Sequence, residues 1–202
     1  QNTTGAHNTG IGALALYTNS QGSRNTALGQ GCLYSNTTGS DNSGIGRDTL
    51  YYNTTGHSNV GLGESALEKN TTGTTNTAVG FEALKFNTTG SGNVAVGVGA
   101  LDANTTAPNN VGVGKDALGV NTTGTNNVAV GAFSLDANTT ADSNTALGYA
   151  SMTANTTGAH NTSVGKSSMS ANTEGLENVA VGSNALATNT TGSYNTALGQ
   201  KA

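Results

Sequence analysis

Branched aliphatic residues recur along the chain at two fixed phases of a 17-residue repeat. We count positions within the repeat from an asparagine that stands at residue 2 and at every seventeenth residue after it. Position 10 is always Val, Ile or Leu, and position 15 is Leu or, at Met152 and Met169, Met. No unit carries an insertion or a deletion. This spacing is typical of a repeat architecture and argues against a disordered, low-complexity chain.

Positions 7 to 11 read Asn, usually Thr or Val, a small residue, an aliphatic residue and Gly, as in NTAVG at residues 76–80. This alternation predicts a short β-strand, because successive side chains point to opposite faces. Gly at positions 4 and 11 disfavours a helix, and position 4 follows Asn-Thr-Thr in the manner of a tight corner. Positions 12 to 17 fit either a second short strand or a single helical turn, and we favour the strand.

A strand, a corner and a second segment in every 17 residues predict one coil of a parallel β-solenoid. Residues 1–202 are therefore expected to form a single all-β repeat domain, which we interpret as a segment of a longer fibre protein. Coils that stack about 4.8 Å apart bring each residue next to its own copy. Columns of Asn at positions 1 and 7 can then hydrogen-bond from coil to coil.

Charged side chains are confined to a few positions of the unit, namely 3, 5, 6, 12, 13, 16 and 17. Because charges are seldom buried unpaired, the corners at 5–6, 12–13 and 16–17 are expected to face water. We expect the aliphatic side chains at positions 10 and 15 to lie in the coil interior. Positions 7, 9 and 11 carry Asn, a small residue and Gly, and we expect this bare face to pack against another chain. So thin an interior predicts a homo-oligomer, in its simplest form an intertwined or side-by-side homotrimer.

Composition narrows the classes of function. The net charge of −4 comes without any basic stripe, which disfavours nucleic-acid binding. No apolar run approaches the ~20 residues of a membrane span, so no membrane insertion is expected. The single cysteine, Cys32, excludes an internal disulfide. Ser, His and acidic residues are not grouped as nucleophile, base and orienter, so we predict no enzymatic activity, no cofactor and no metal site.

Three stretches, NVAVGSNAL (178–186), TTGSYNTALG (190–199) and ALGQKA (197–202), resemble the head repeats of trimeric autotransporter adhesins of the YadA-like kind. The joining of NTTG to NTAVG and AL also resembles repeats of phage tail-fibre proteins. The resemblance covers the whole chain and is specific at positions 7 to 11. It implies a left-handed parallel β-roll with three chains around one axis. Adhesin units are shorter than 17 residues, which leaves the cross-section open.

Two sets of residues are candidate sites. The first set consists of Asn-x-Ser/Thr sequons, which indicate either a glycosylated fibre or a structural Asn at a corner or ladder. These sequons begin at Asn2, Asn36, Asn53, Asn70, Asn87, Asn104, Asn121, Asn138, Asn155, Asn161 and Asn189. We favour the structural alternative, because Asn persists at 19 and 172, where the sequon is lost. The second set is Tyr17, Tyr34 and Tyr51, which share position 16 in consecutive units and suggest either a partner-contact stripe or a stabilising stack.

These patterns predict a structural and adhesive function. The chain would be an extracellular fibre segment of a virion tail fibre or a bacterial cell surface, with a host receptor or a glycan as partner. The main alternative is a self-assembling extracellular fibril whose chains join end to end and carry glycans. A third is an ice- or carbohydrate-binding solenoid with stacked Thr at positions 2 and 3, although adjacent residues of a strand point to opposite sides.

Overall fold

A computed structural model describes residues 2–202, which form one parallel sheet of twelve three-residue strands. The strands are β1 (Thr9–Ile11), β2 (Thr26–Leu28), β3 (Ser43–Ile45), β4 (Val60–Leu62), β5 (Thr77–Val79), β6 (Val94–Val96), β7 (Val111–Val113), β8 (Val128–Val130), β9 (Thr145–Leu147), β10 (Thr162–Val164), β11 (Val179–Val181) and β12 (Thr196–Leu198). Each strand occupies positions 8 to 10 of its unit.

Strands pair in chain order, and each residue pairs with the residue 17 positions later, as Thr77 does with Val94. The described part of the chain contains no helix. The prediction of an all-β parallel β-solenoid with 17-residue coils is therefore confirmed. We number the coils 1 to 12, with coil 1 starting at Asn2 and each later coil starting 17 residues further on.

The two faces of the sheet are oriented opposite to our expectation. Position 9 is buried in coils 2 to 11, as at Ala78 and Ala95, whereas positions 8 and 10 are nowhere buried and Leu62 is 44% exposed. The interior place expected for position 10 is therefore wrong. The inter-chain place expected for positions 7 and 9 is also wrong, because these residues are buried in the core of their own chain. The reason is the narrow coil, in which the wall opposite the sheet carries a large side chain at position 15. A Cβ added to Gly112 at position 9 would lie 3.2 Å from Cγ of Leu101, so only a small residue fits there.

Positions 12 to 17 form a run of turns, and the expected second strand is wrong. The N–H of Ala66 donates to the carbonyl of Gly63 in the same coil, and the N–H of Leu67 donates to the carbonyl of Ala83 in the next coil. Ser65 and Leu67, at positions 13 and 15, have φ of 58° and 55°, in the left-handed region. This conformation breaks the strand alternation and leaves the Leu at position 15 buried in the core.

Glycine at position 11 is required by the stacking itself. Gly80 has φ of 138°, which L side chains rarely adopt, and a Cβ there would lie 2.5 Å from the carbonyl oxygen of Gly97 in the next coil. The same close approach is repeated along the rod, so any side chain at this position would push neighbouring coils apart. This contact explains the glycine at position 11 of coils 1 to 11, and the positive φ of 125° accounts for Gly199 in the last coil.

Candidate functional site

The asparagine column at position 1 hydrogen-bonds from coil to coil as predicted, and it is buried between Asn19 and Asn172. In every neighbouring pair of coils the Nδ2 of one Asn donates to the Oδ1 of the preceding one, for example from Asn70 to Asn53 at 2.8 Å. The same Nδ2 donates to the carbonyl of position 4 in its own coil, as Asn70 does to Gly73 at 3.0 Å. Both amide protons are therefore used, and the side chain holds the corner closed as well as joining coils.

The column at position 7 joins the same corner from the other side. The backbone N–H of Asn76 donates to Oδ1 of Asn59 at 3.0 Å, and the Asn76 Nδ2 donates to the carbonyl of Gly90 in the next coil at 2.8 Å. The position 4 carbonyl thus accepts from both columns. Sequence reasoning identified the two columns but missed this shared acceptor, which a repeat pattern alone does not reveal.

The asparagines of the sequons belong to these two columns. Nine of their asparagines are at most 1% exposed, and each of the nine donates its Nδ2 to one or more partners inside the chain. A glycan on such an amide has no room between coils, so the glycan interpretation does not fit the folded chain at these nine sites. The two others lie in the first and last coils, where Asn2 is exposed and Asn189 is half-buried.

The tyrosines at position 16 form a stack. The ring centroids of Tyr17 and Tyr34 are 5.3 Å apart and those of Tyr34 and Tyr51 are 4.8 Å apart, with planes within 7° and 4° of parallel. Tyr52 meets Tyr51 edge-on at 4.8 Å, and the Nζ of Lys69 lies 4.2 Å from the Tyr52 ring centroid. The ring faces are used within the chain, and contact with a partner stays a prediction for the exposed ring edges.

Threonines at positions 2 and 3 point to opposite sides, as expected. Thr71 Oγ1 donates to the carbonyl of Thr88 in the next coil at 3.0 Å, whereas Thr72 is exposed. His57 and His160 lie exposed at the corners. Cys32 is fully buried, and burial raises the pKa of its thiol to about 12. These residues do not converge on one place.

One groove collects carboxylates. Asp102, Asp116 and Asp136 line a surface groove of about 350 Å³ that also contains Gly99 and Gly119 in its lining. Burial, and then the charge of the neighbouring Glu82, raise the pKa of Asp102 to about 6, and its Oδ1 is buried without a hydrogen-bond partner. Across residues 2–202, no three His, Cys, Asp or Glu side chains form a group that could hold a metal ion.

Positions 8 and 10 of the strands form one exposed face of the sheet. It runs the length of the rod as two columns of Thr, Ser, Val, Ile and Leu side chains without a charge. The most exposed of its large aliphatic members are Ile11, Leu28, Ile45, Val60, Leu62, Val130, Val179 and Leu198. An apolar surface of this extent commonly marks a site of association. Sequence reasoning assigned this face to the interior and so missed it.

Two exposed ion pairs flank this face near the start of the rod. Position 6 lies two residues before the strand and carries Arg24, whose Nε and Nη2 donate to the two carboxylate oxygens of Asp41 at 2.5 and 2.8 Å. Position 12 directly follows the glycine and carries Arg47, which pairs with Glu64 in the next coil. Hydrogen bonding to Arg24 lowers the pKa of Asp41.

Comparison with protein-family models, with curated proteins and with solved structures finds no match to this chain. No helix among the described residues is long and apolar enough to cross a membrane.

Proposed function

We propose that this chain is a non-catalytic segment of an extracellular fibre, in which copies associate through the sheet face into a homotrimer. The observation that carries the proposal is the uncharged face at positions 8 and 10, whose unbroken column of aliphatic side chains at position 10 is left unburied by a single chain. The opposite face of the sheet, with position 9 at its centre, packs against the core of the same chain and is not proposed as a contact between chains.

The size of this face suits stable association. Eleven inter-strand steps of about 4.8 Å make it roughly 53 Å long, and the five residues from position 7 to 11 make it about 13 Å wide. The resulting area of roughly 700 Å² per chain is close to the ~800 Å² that each partner buries in a standard interface. Burial of apolar side chains over this area would stabilise the assembly.

Three chains around one axis close such faces without leaving an edge, because a cyclic arrangement gives every copy the same surroundings. We further propose that the coils wind left-handed, as the resemblance to YadA-like head repeats implies. The fibre would belong to a virion tail or to a bacterial surface. In this arrangement the corners at positions 3, 5, 16 and 17 point outward, where a host receptor or glycan would meet them.

Sedimentation equilibrium of the purified chain tests the proposal. We expect the mass of three chains, and we expect Val96→Glu, which places a charge on the sheet face, to give single chains. Val120→Glu is the matched control, because Val120 is exposed at position 17, away from the sheet. A single chain at all concentrations would refute the proposal. Filaments that grow without limit in electron micrographs would favour the end-to-end fibril instead.

A further inference from the structure

We infer that Asp41 of one copy contacts Arg47 of the neighbouring copy at the margin of the sheet face. This rests on the proposed function, since it requires association through that face. The contact would join two intrachain pairs, Arg24 with Asp41 and Arg47 with Glu64, into one network of alternating charge that runs across the boundary between copies.

The two margins of the face make this contact possible. Asp41, at position 6 of coil 3, lies two residues before β3, and Arg47, at position 12, lies two residues after it. Both side chains are exposed, at 42% for Asp41 and 58% for Arg47. Within the described chain Asp41 pairs with Arg24 and Arg47 pairs with Glu64, and the two do not pair with each other.

Symmetry decides which margins meet. When two rods lie parallel with their sheets facing, the position 6 margin of one copy meets the position 12 margin of the other. When the rods are antiparallel, like margins meet. Rotation about an axis along the fibre keeps the rods parallel and equal coils at equal height. Asp41 and Arg47, both in coil 3, then face each other with opposite charge.

A slip of one coil changes the pairing. In one direction Arg24 faces Arg47 and Asp41 faces Glu64, so that two like-charged pairs oppose the slip. In the other direction Asp41 faces the neutral Gln30 and the attraction is lost at this point of the rod. That second slip brings Glu177 opposite Lys166 further along, so the alignment of coils has to be measured directly.

A double-mutant cycle on the assembled chain tests the contact. We expect Asp41→Asn and Arg47→Gln each to weaken association about two- to fivefold per interface, and the double substitution to weaken it no more than one of them does. Asp48→Asn, in the same coil at position 13, is the matched control and should leave association unchanged. The coupling should be absent from urea unfolding of the dissociated Val96→Glu chain, because it exists only between copies.

Crosslinking with a short bis-maleimide reports the alignment. Asn126→Cys with Ala132→Cys places thiols at positions 6 and 12 of coil 8, and we expect crosslinked chains. Ser143→Cys with Ala132→Cys places them one coil apart and should crosslink much less. Trimers without coupling between Asp41 and Arg47, or with the offset pair crosslinking better, would overturn this inference and leave the proposed function standing. Absence of any association would instead refute the proposed function.

Discussion

Coils 4 and 5 and coils 9 and 10 follow the same backbone course but differ in what fills it. In the first region the core holds Ala and Leu at positions 14 and 15, as at Ala83 and Leu84. In the second it holds Ser and Met, as at Ser151 and Met152. The buried hydroxyls are satisfied locally, because the Oγ atoms of Ser151 and Ser163 are 2.7 Å apart and Ser163 Oγ donates to the carbonyl of Ser168.

The corner at positions 2 to 4 differs as well. In coil 4 the N–H groups of Thr54, Thr55 and Gly56 all donate to the carbonyl of Thr71. In coil 9, where Ala141 replaces the glycine, none of the three corresponding groups has such a bond among the described residues. Asn138 Nδ2 nevertheless donates to the Ala141 carbonyl at 3.1 Å. The comparison teaches that the asparagine columns and the position 11 glycines preserve the register while core and corner vary.

The largest loss of stability is expected from substitutions at position 11, and it should be equal in the two regions. We expect Gly80→Ala and Gly148→Ala each to destabilise the fold by about 3 kcal/mol or more, since both positions have positive φ and press against the next coil. Urea unfolding measures the loss. A large effect in one region and a small one in the other would contradict a shared stacking constraint.

The position 7 column should also matter equally in both regions. We expect Asn76→Ala and Asn144→Ala each to cost about 2 kcal/mol, because each leaves the buried backbone N–H of the next asparagine in the column without its acceptor and removes one of the two side-chain donors to a position 4 carbonyl. Urea unfolding again measures the change, with the exposed Asn126→Ala as the control. A cost below about 0.5 kcal/mol, as expected for a surface substitution, would show that the column is dispensable.

Exchange of the corner residues should sharpen the difference. Gly73→Ala in coil 5 is expected to cost about 1–2 kcal/mol, because a Cβ there would press against the Asn70 side chain and the backbone carbonyl of Gly90 in the next coil and displace backbone hydrogen bonds. Ala141→Gly should restore protection of the amides at 139–141 against hydrogen exchange. If hydrogen exchange is unchanged in Ala141→Gly, the alanine is not the cause of the missing hydrogen bonds.

The smallest effect is expected in coil 6, between the two regions, and it depends on pH. The pKa of Asp102 is raised to about 6, above its value in an unfolded chain, so the folded state binds the proton more tightly. Stability should therefore fall by about 1 kcal/mol as pH rises from 4 to 7, allowing for partial exposure of the group. Asp102→Asn should remove this slope in urea unfolding measured at both pH values, and a persistent slope would assign it to other groups.

The sequence was sufficient to predict the strand, its parallel stacking and the two asparagine columns. The strict 17-residue period can be read directly from the sequence, and it implies that like residues stack on one another. The alternation in NTAVG shows in turn that the strand has two different faces. The pattern could not say which face is inner, because that depends on the Leu at position 15 reaching in from the opposite wall. Position 13 is glycine only at Gly31 and Gly99, and position 15 is never glycine, so the sequence does not indicate the left-handed conformation of residues such as Ser65 and Leu67.

The unbroken 17-residue offset between paired strands has a consequence for how such a rod can differ in size. A residue gained or lost inside one turn would misalign the asparagines, the glycines and the buried leucine of that turn against both neighbours at once. Only whole turns can be added or removed without that penalty, each altering the reach by about 4.8 Å. The length of the rod can therefore change only in steps of one coil, and such a step leaves the contacts between the remaining coils unchanged.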